Sequence, residues 1–473
     1  MARFDVGGSH LWSQQITPGG LGLILDAMTV APDGSIYVAG LLQNGDIDFG
    51  GSVLSGAGVT VLAALESDGS HRWSFVLGSA RVRSLAASNA GVACTGYSLG
   101  SVDLGGGALG YAGGSDIFIG LLNADGSHRF SQVFGDAGDQ GGMSTALDPN
   151  DGVVLAAATK TAIDFGGGVL TPTATDLCLS AFNATGVHQW SWIRAGSFSA
   201  GSGILLQLDV EVSGTGEIAL AGQFRGSTDL GGGTLNSAGL DDAFLARYSS
   251  GGGHLASQAF GGTSYETVQG VSWDGAGNLV FGGSSSSATT SFGGGTLTHS
   301  GGSSHDGFVA VFDDGGSHLY STSFVGIGGL VPRFQASGQI LCFGSGSGNI
   351  DFGGGPVADP QFYLAQFEGA TSTTTAAPYV PAAPTLAQNI PNPFNPSTTI
   401  RFSLDEEREM LLEIFDVAGR RVRVLVHGAV PAGDHVVSFD GRDARGRWLA
   451  SGVYRYRLRG DGSALVRSMV LVR

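Results

Sequence analysis

A segment of about 60 residues recurs six times along this chain, and no other feature limits its fold as tightly. The first marker is a histidine ahead of a strand-like run: His10 in GGSHLWSQQ, His71 in DGSHRWSFV, His128 in DGSHRFSQV, His188 in TGVHQWSWI, His254 in GGGHLASQA and His318 in GGSHLYSTS. Successive histidines stand 61, 57, 60, 66 and 64 residues apart, and a serine follows each by three (Ser13, Ser74, Ser131, Ser191, Ser257, Ser321). A second marker keeps the same phase: DFGGS at Asp48, DLGGG at Asp103, DFGGG at Asp164, DLGGG at Asp229, SFGGG at Ser291 and DFGGG at Asp351. Two markers with one period mean a copied structural unit.

Each period contains four strand-like segments. In the fifth they are DAFLARYS, HLASQAF, TVQGVSW and NLVFGGS, separated by SGGG and DGAG turns, with DGFVAVFD opening the next period. Asp33-Gly34, Asp68-Gly69 and Asp125-Gly126 read as two-residue hairpin turns. Four antiparallel strands per repeat, stacked radially, make a propeller blade; a parallel β-solenoid would have shorter coils without hairpins. Apolar positions recur as inter-blade packing requires, at Val38, Cys94, Ala156, Leu220, Phe281 and Cys342, and at Trp12, Trp73, Phe130, Trp190, Ala256 and Tyr320. QFYLAQFE at 361–368 is a further copy of the first strand type, as is Met1-Ala2-Arg3-Phe4, which aligns with Leu245-Ala246-Arg247-Tyr248. The chain therefore reads as opening inside a repeat. Closure through residues 361–368 gives six blades, with Met1–Asp5 competing for the same slot; residues upstream of Met1 would give seven.

The recurrence also governs how the polar markers are read. A catalytic site needs a few groups converging on one substrate, whereas a side chain present in every blade is a local hydrogen-bonding device, the alternative being a ring of imidazoles around a metal. Asp48, Asp103, Asp164, Asp229 and Asp351 fall at one end of the propeller and read as caps of glycine turns, the alternative being a calcium-binding ring. Cys94 and Cys342 read as small core hydrophobes, and three cysteines build no disulfide framework.

Composition agrees. Glycine accounts for 82 of 473 residues without a Gly-X-Y period, which fits many short strands and tight turns rather than collagen. The net charge of −17 is unevenly placed: residues 390–473 hold 13 of 23 basic and 10 of 40 acidic side chains, leaving 10 against 30 in residues 1–389. So acidic a region repels phosphate backbones, and Lys160 is its only lysine, so nucleic acid is excluded as a partner of the larger part. No apolar run reaches the roughly 18–20 residues of a membrane-spanning helix.

The tail is a different unit. Residues 369–389 are rich in Thr, Ala and Pro and read as a linker. In residues 390–473, IPNPFNPSTTIRFSL, LLEIFDVAG, RVRVLVHG, HVVSFDG and GVYRYRLRG alternate as strands, the three prolines holding the first approach extended; Tyr454, Tyr456 and Leu458 share one face and Arg455, Arg457 and Arg459 the other. The expected fold is all-β: a six- or seven-bladed propeller of four-stranded antiparallel blades over residues 1–368, then a small Ig-like β-sandwich.

Two resemblances follow. TVAPDGSIYVAG and VSWDGAGNLVFGG resemble the bacterial β-propeller repeats called SBBP, from which LDPNDGVVLAAA departs. PNPFNPSTTIRFSL, IFDVAGRRVRVL, PAGDHVVSFDGRDARGRWLASGVYRYRL and the closing MVLVR resemble FlgD-like Ig-like modules and the type A sorting domains of the type IX secretion system; SLDEEREM lacks the proline-containing turn expected after the first strand. The second resemblance implies a protein exported to the surface of a Gram-negative bacterium or beyond, with the outer-membrane secretion machinery as partner of the C-terminal module.

Function is less legible. Chemistry must sit where the copies differ, and the unmatched ionisable groups are Arg194, Asp209, Glu211, Glu266 and His305. Asp209 and Glu211 lie two apart, so a strand places them on one face, as a weak carboxylate pair or a solvated strand face. No nucleophile elbow, P-loop, HExxH or cysteine-pair motif is present. The expectation is a binding or structural protein with a glycan or protein ligand and no cofactor, the alternative being a polymer-degrading hydrolase or lyase.

Overall fold

The computed structural model describes residues 1–4, 10–17, 19–196, 198, 207–299, 305–335, 338–346, 349–352, 356–358, 362–367, 385–386, 389, 392–404, 408–417, 419–430, 433–460 and 463–472. The chain forms two units, Met1–Thr371 and Ser372–Arg473. The described residues are all-β, and no helix is long and apolar enough to cross a membrane.

The first unit is a β-propeller. Blade 1 consists of Gly22–Val30, Ile36–Ile47, Val59–Leu65 and the start of His71–Ser88, whose second half is the inner strand of blade 2 beside Gly91–Val102, Asp116–Asn123 and His128–Phe134. Blades 3, 4 and 5 are separate four-stranded sheets beginning at Gln140–Leu147, Leu208–Val212 and Glu266–Trp273. Blade 6 has three described strands, Ile327–Phe334, Ile340–Gly346 and Phe362–Phe367. Ala2–Phe4 and His10–Ser13 form a two-stranded sheet of their own. Each blade thus starts on the TVQGVSW-type segment, and in blades 1 to 5 the histidine strand is its outer edge.

The Asp-Gly turns, one between first and second strands and two between third and outer strands, differ from the two-residue expectation. Leading into Ile36, Ala31 N donates to Ser35 O and Gly34 N to Ala31 O, a three-residue loop in which Gly34 alone takes positive φ (89°). The physical reason is the aspartate: Asp33 Oδ1 accepts the Ser35 N–H, which holds Asp33 at negative φ and builds a type I turn with a glycine bulge. Asp68-Gly69 and Asp125-Gly126 repeat it. In blade 3 the register also corrects the alignment: Leu155, paired with Ser180, occupies the Val38 position, and Ala156 the next one.

Packing between blades follows from strand alternation. Ala39 and Leu62 on one face of blade 1 join Val82, Leu85 and Cys94 on the facing side of blade 2 in one buried cluster. Cys94, Cys178 and Cys342 are buried free thiols, and burial pushes each up to about 12, so they act as small hydrophobes.

In the second unit, Thr385–Leu386, Thr398–Leu404 and Gly433–Phe439 form one sheet, and Arg421–Val430, Arg408–Phe415, Gly452–Gly460 and Ser463–Leu471 the other. The unit therefore starts before residue 390: Leu386 is core, and Asn389 N donates to Tyr456 Oη at 2.7 Å. The approach is not simply extended, since Asn392–Pro393 and Asn395–Pro396 are cis. Tyr454, Tyr456 and Leu458 point inward as expected, while Arg457 and Arg459 turn to the buried Glu413 at 2.9 and 3.5 Å, joined by Arg421 at 2.9 Å. Burial alone would raise the Glu413 carboxyl; the Arg421 and Arg457 hydrogen bonds outweigh it and hold the group below its usual range. Residues 368–384 and 405–407, which carry most of the linker and the SLDEEREM turn, lie outside the described residues.

Candidate functional site

The two repeated markers meet each other. His71 Nε2 lies 3.0 Å from Ser74 Oγ, and the pairs His128–Ser131, His188–Ser191, His254–Ser257 and His318–Ser321 repeat this at 2.9–3.0 Å. Each of these rings lies against the second glycine of its own blade's Asp-x-Gly-Gly loop: a Cβ on Gly51, Gly106, Gly167, Gly232 or Gly294 would come within 2.0–2.3 Å of the ring. The loop reaches the histidine by doubling back. His71 pairs with Leu65, which pairs with Ile36, so it sits where the second strand starts, yet Gly51 follows the end of that strand. The aspartate caps the turn as expected: Asp164 Oδ1 accepts Gly166 N at 2.7 Å and Gly168 N at 3.0 Å, with the same arrangement at Asp103 and Asp229 and the first of these bonds at Asp48. Ser291 makes the weaker equivalent at 3.4 Å. The side chain of Asp351 and residues 353–355 lie outside the described residues. The next residue, Leu104, Phe165, Leu230 or Phe292, is buried in the seam with the preceding blade, as where Phe292 meets Phe260 at 5.4 Å, while Phe49 is buried in a cluster that Trp12 and Ile16 pack against.

A third repeated contact links neighbouring blades. The Trp73 indole lies on Gly126 and donates to Ala124 O at 2.9 Å, Trp190 lies on Gly252 and donates to Ser250 O at 2.8 Å, and Trp12 lies on Gly69 and donates to Ser67 O at 3.0 Å. A buried aspartate opens the third strand in four blades (Asp116, Asp176, Asp242, Asp306), where it accepts backbone N–H groups, among them Gly326 N on Asp306 at 3.0 Å. Its recurrence in SDIF, TDLC, DDAF and HDGF was a readable signal that the histidine pattern overshadowed.

Two of the five unmatched ionisable groups, Asp209 and Glu211, meet at the central channel. All six inner strands line one cavity of ≈ 690 Å³, through Met28, Ser84, Thr145, Asp209, Glu211, Ser272, Arg333 and their neighbours. Asp209 and Glu211 both face it, as their spacing predicts. Asp209 is committed: Oδ1 accepts from Ser144 Oγ at 3.0 Å, and Oδ2 from Val271 N and Arg333 Nη2, both at 2.9 Å. Ser144 Oγ in turn accepts the Val210 N–H at 3.1 Å, and Arg333 Nη1 donates to Val271 O at 3.1 Å. One carboxylate thus ties blades 3, 4, 5 and 6 together at the axis. Glu211 is placed differently. Burial pushes its carboxyl up to about 7, Asp209 adding to the rise and Arg333 opposing it.

The other unmatched groups lie elsewhere. Arg194 ends the outer strand of blade 3, 4.8 Å above the Trp192 ring. Glu266 is fully buried at the far end of the inner strand from Val271 and accepts from Ser285 Oγ at 2.8 Å and Gly262 N at 2.9 Å. His305 is exposed before Asp306–Phe312. Arg333 and Ser144 were missed from sequence because each looks ordinary within its own repeat; only closure of the blades around an axis brings them to Asp209. No group of three or more metal-ligating side chains occurs among the described residues.

Residues 394–463 match the FlgD Ig-like domain. The FlgD-like match falls wholly within the second unit and covers its strands from Thr398–Leu404 through Gly452–Gly460. Among curated proteins no sequence matches the chain. Solved structures with similar chains include the Neurospora crassa Pan2 WD40 domain (9% identity, 80% of this chain and 85% of that one, TM-score 0.38) and Trypanosoma rangeli sialidase in complex with sialic acid (10% identity, 99% and 86%, TM-score 0.32). PorZ, a bacterial surface component of the type IX secretion system of Porphyromonas gingivalis, is similar at 11% identity over 95% and 93%, with a TM-score of 0.17.

Proposed function

We propose that this chain is an exported bacterial surface protein whose propeller binds or spaces rather than catalyses, and whose C-terminal Ig-like module serves as its export address and surface anchor. The observation that carries the first half is the state of Asp209. A glycosidase-type mechanism needs two carboxyl groups free to exchange protons or attack across a substrate. Here one of the two channel carboxylates has both oxygens occupied by three donors from blades 3, 5 and 6, which leaves Glu211 alone. A single protonatable carboxyl in a polar channel suits recognition of an extracellular glycan or protein segment better than hydrolysis or elimination. The FlgD-like match and the resemblance to type A sorting domains support the second half, with the outer-membrane secretion machinery as the module's partner.

The test is mass spectrometry of the mature protein from the surface and medium of its own host, joined to an assay of the purified propeller on extracellular polysaccharides. A mature species lacking its last ~80 residues, with polymer binding and no new reducing or unsaturated ends, is the expected result. A surface species that retains the module refutes the sorting role; turnover abolished by Glu211→Gln refutes the binding role.

A further inference from the structure

Two seams of the propeller are built alike where the inner strand begins, and only one of them is filled. An isolated parallel bridge joins Asp241 to Tyr265 between blades 4 and 5, and another joins Ser115 to Asp139 between blades 2 and 3. Strand register matches the surroundings residue for residue: Gln223 corresponds to Tyr97, Arg225 to Leu99, Tyr265 to Asp139 and Thr267 to Gly141. In the blade 4–blade 5 seam Arg225 is the occupant. Its Nε donates to Asp241 Oδ1 at 2.7 Å, and its guanidinium carbon stands 5.7 Å from the centre of the Tyr265 ring.

The blade 2–blade 3 seam holds a cavity of ≈ 240 Å³ instead, lined by Tyr97, Leu99, Asp139, Gly141 and Met143 among others. It is open because the side chains that fill the other seam are cut back: Leu99 stands for Arg225, Gly114 for Leu240 and Gly141 for Thr267. An aromatic ring and a carboxylate are nonetheless both present, as Tyr97 and Asp139. Among the described residues, neither the Tyr97 hydroxyl nor the Asp139 carboxylate has a hydrogen-bond partner. Arg81, which pairs with Tyr97 across the strands, is committed to Asp26, its Nε donating to Oδ2 at 2.9 Å, so it leaves the charge of Asp139 unmatched.

We propose, on the reading of the propeller as a binding protein, that this seat takes a guanidinium from outside the chain: the side chain of an arginine on a partner protein, paired with Asp139 and set against Tyr97 as Arg225 is with Asp241 and Tyr265. A guanidinium satisfies both walls at once, since its N–H groups suit a carboxylate and its flat, weakly hydrated face suits an aromatic ring. The surplus of 30 acidic over 10 basic side chains in residues 1–389 draws cations to this unit. The rim favours a protein over a free small cation. Leu99 is 50% exposed and Tyr111, whose hydroxyl donates to Gly114 O at 2.9 Å, is 43% exposed, which offers apolar contact to the residues on either side of an inserted arginine.

Saturation-transfer NMR on the full-length protein tests the seat, with the end-blocked tripeptide glycyl-arginyl-glycine as probe. Saturable binding is expected, about tenfold tighter than for the citrulline tripeptide, which keeps the shape and lacks the charge. Asp139→Asn and Tyr97→Ala should each weaken it several-fold. Leu99→Arg, which sets the chain's own guanidinium where Arg225 stands in the other seam, should abolish it. Equal binding of the two tripeptides, or binding unchanged in both Asp139→Asn and Leu99→Arg, overturns the site; ethylguanidinium binding as tightly as the arginine tripeptide assigns it to a free small cation and overturns the protein partner. Asp139 is exposed, so Asp139→Asn decides alone if Leu99→Arg fails to fold. Absence of peptide binding beside intact polysaccharide binding removes this seat and leaves the binding role, whereas polymer turnover by the native protein removes the binding role while the peptide titration still reads the seat.

Discussion

His188 lies against Gly167, so close that a Cβ on the glycine would stand 2.3 Å from the imidazole Cε1. The histidine repeated around this ring is thus a clamp on the Asp-x-Gly-Gly loop of its own blade. Gly167→Ala should destabilise the propeller by about 1–3 kcal/mol through overpacking. Combining it with His188→Ala should recover part of that loss, because the atom it strikes is gone. Chemical denaturation of both single variants and the double variant measures the coupling; strict additivity would show that the ring and glycine do not touch.

Asp209 should behave as a structural staple. Asp209→Ala strips the acceptor from Val271 N, Ser144 and Arg333 together, and a loss of about 2–4 kcal/mol is expected for an ionised group with several donors. Arg333→Ala in the Asp209→Ala background should cost clearly less than in the native chain. Urea midpoints at constant m-value check both.

The pH dependence has two opposed parts. Burial holds the folded-state values of His254 and His318 below the ordinary 6.5, aided at His254 by Arg194. Since the unfolded chain binds those protons first, their contribution is complete above pH 6.5 and falls away as the pH drops through the folded values. Thermal midpoints should decline on acidification below pH 6.5, and His254→Gln/His318→Gln should flatten that limb relative to its own neutral-pH midpoint.

Glu211 acts in the reverse sense. Its carboxyl is raised from 4.5 to about 7, so the folded state holds a proton the unfolded state has lost. Its contribution is intact below pH 4.5 and disappears as the pH rises through about 7. Glu211→Gln, neutral throughout, should therefore gain stability relative to the native protein progressively between pH 4.5 and 7. A stability difference constant with pH would mean that folding leaves the Glu211 carboxyl where it stands in the unfolded chain.

The repeat gave away the architecture because inter-blade burial forces the same residue types to recur at fixed intervals. It gave away the local role of Asp164 and its counterparts because an aspartate two residues before a glycine has few other uses. What it hid was anything arising between distant copies. Asp209 and Arg333 are 124 residues apart, and their encounter depends on how the blades close around the axis. The one-residue error at Leu155 came from DPNDGVV, where the glycine sits one place later in its turn than in PDGSI, so matching letters was a poorer guide than matching hydrogen bonds. Thr385, Leu386 and Asn389 look like linker in composition, yet a strand pairing claims the first two for the sandwich and the Tyr456 hydroxyl the third.

Each doubled-back hairpin is fixed at its tip by a histidine and at its root by a strand, and what lies between tip and third strand differs in every copy: SVLSGAG, ALGYAGGS, VLTPTAT, TLNSAGLD, TLTHSGGSSH. The wheel therefore has a rim of short, separately anchored segments in which exposed positions such as Val53, Tyr111 and Val169 alternate with buried ones such as Thr175, Asp241 and His299. A library randomised at the exposed positions of one such segment should keep its melting profile while altering what the outer face adheres to, which makes the circumference a natural place for this chain to acquire new partners.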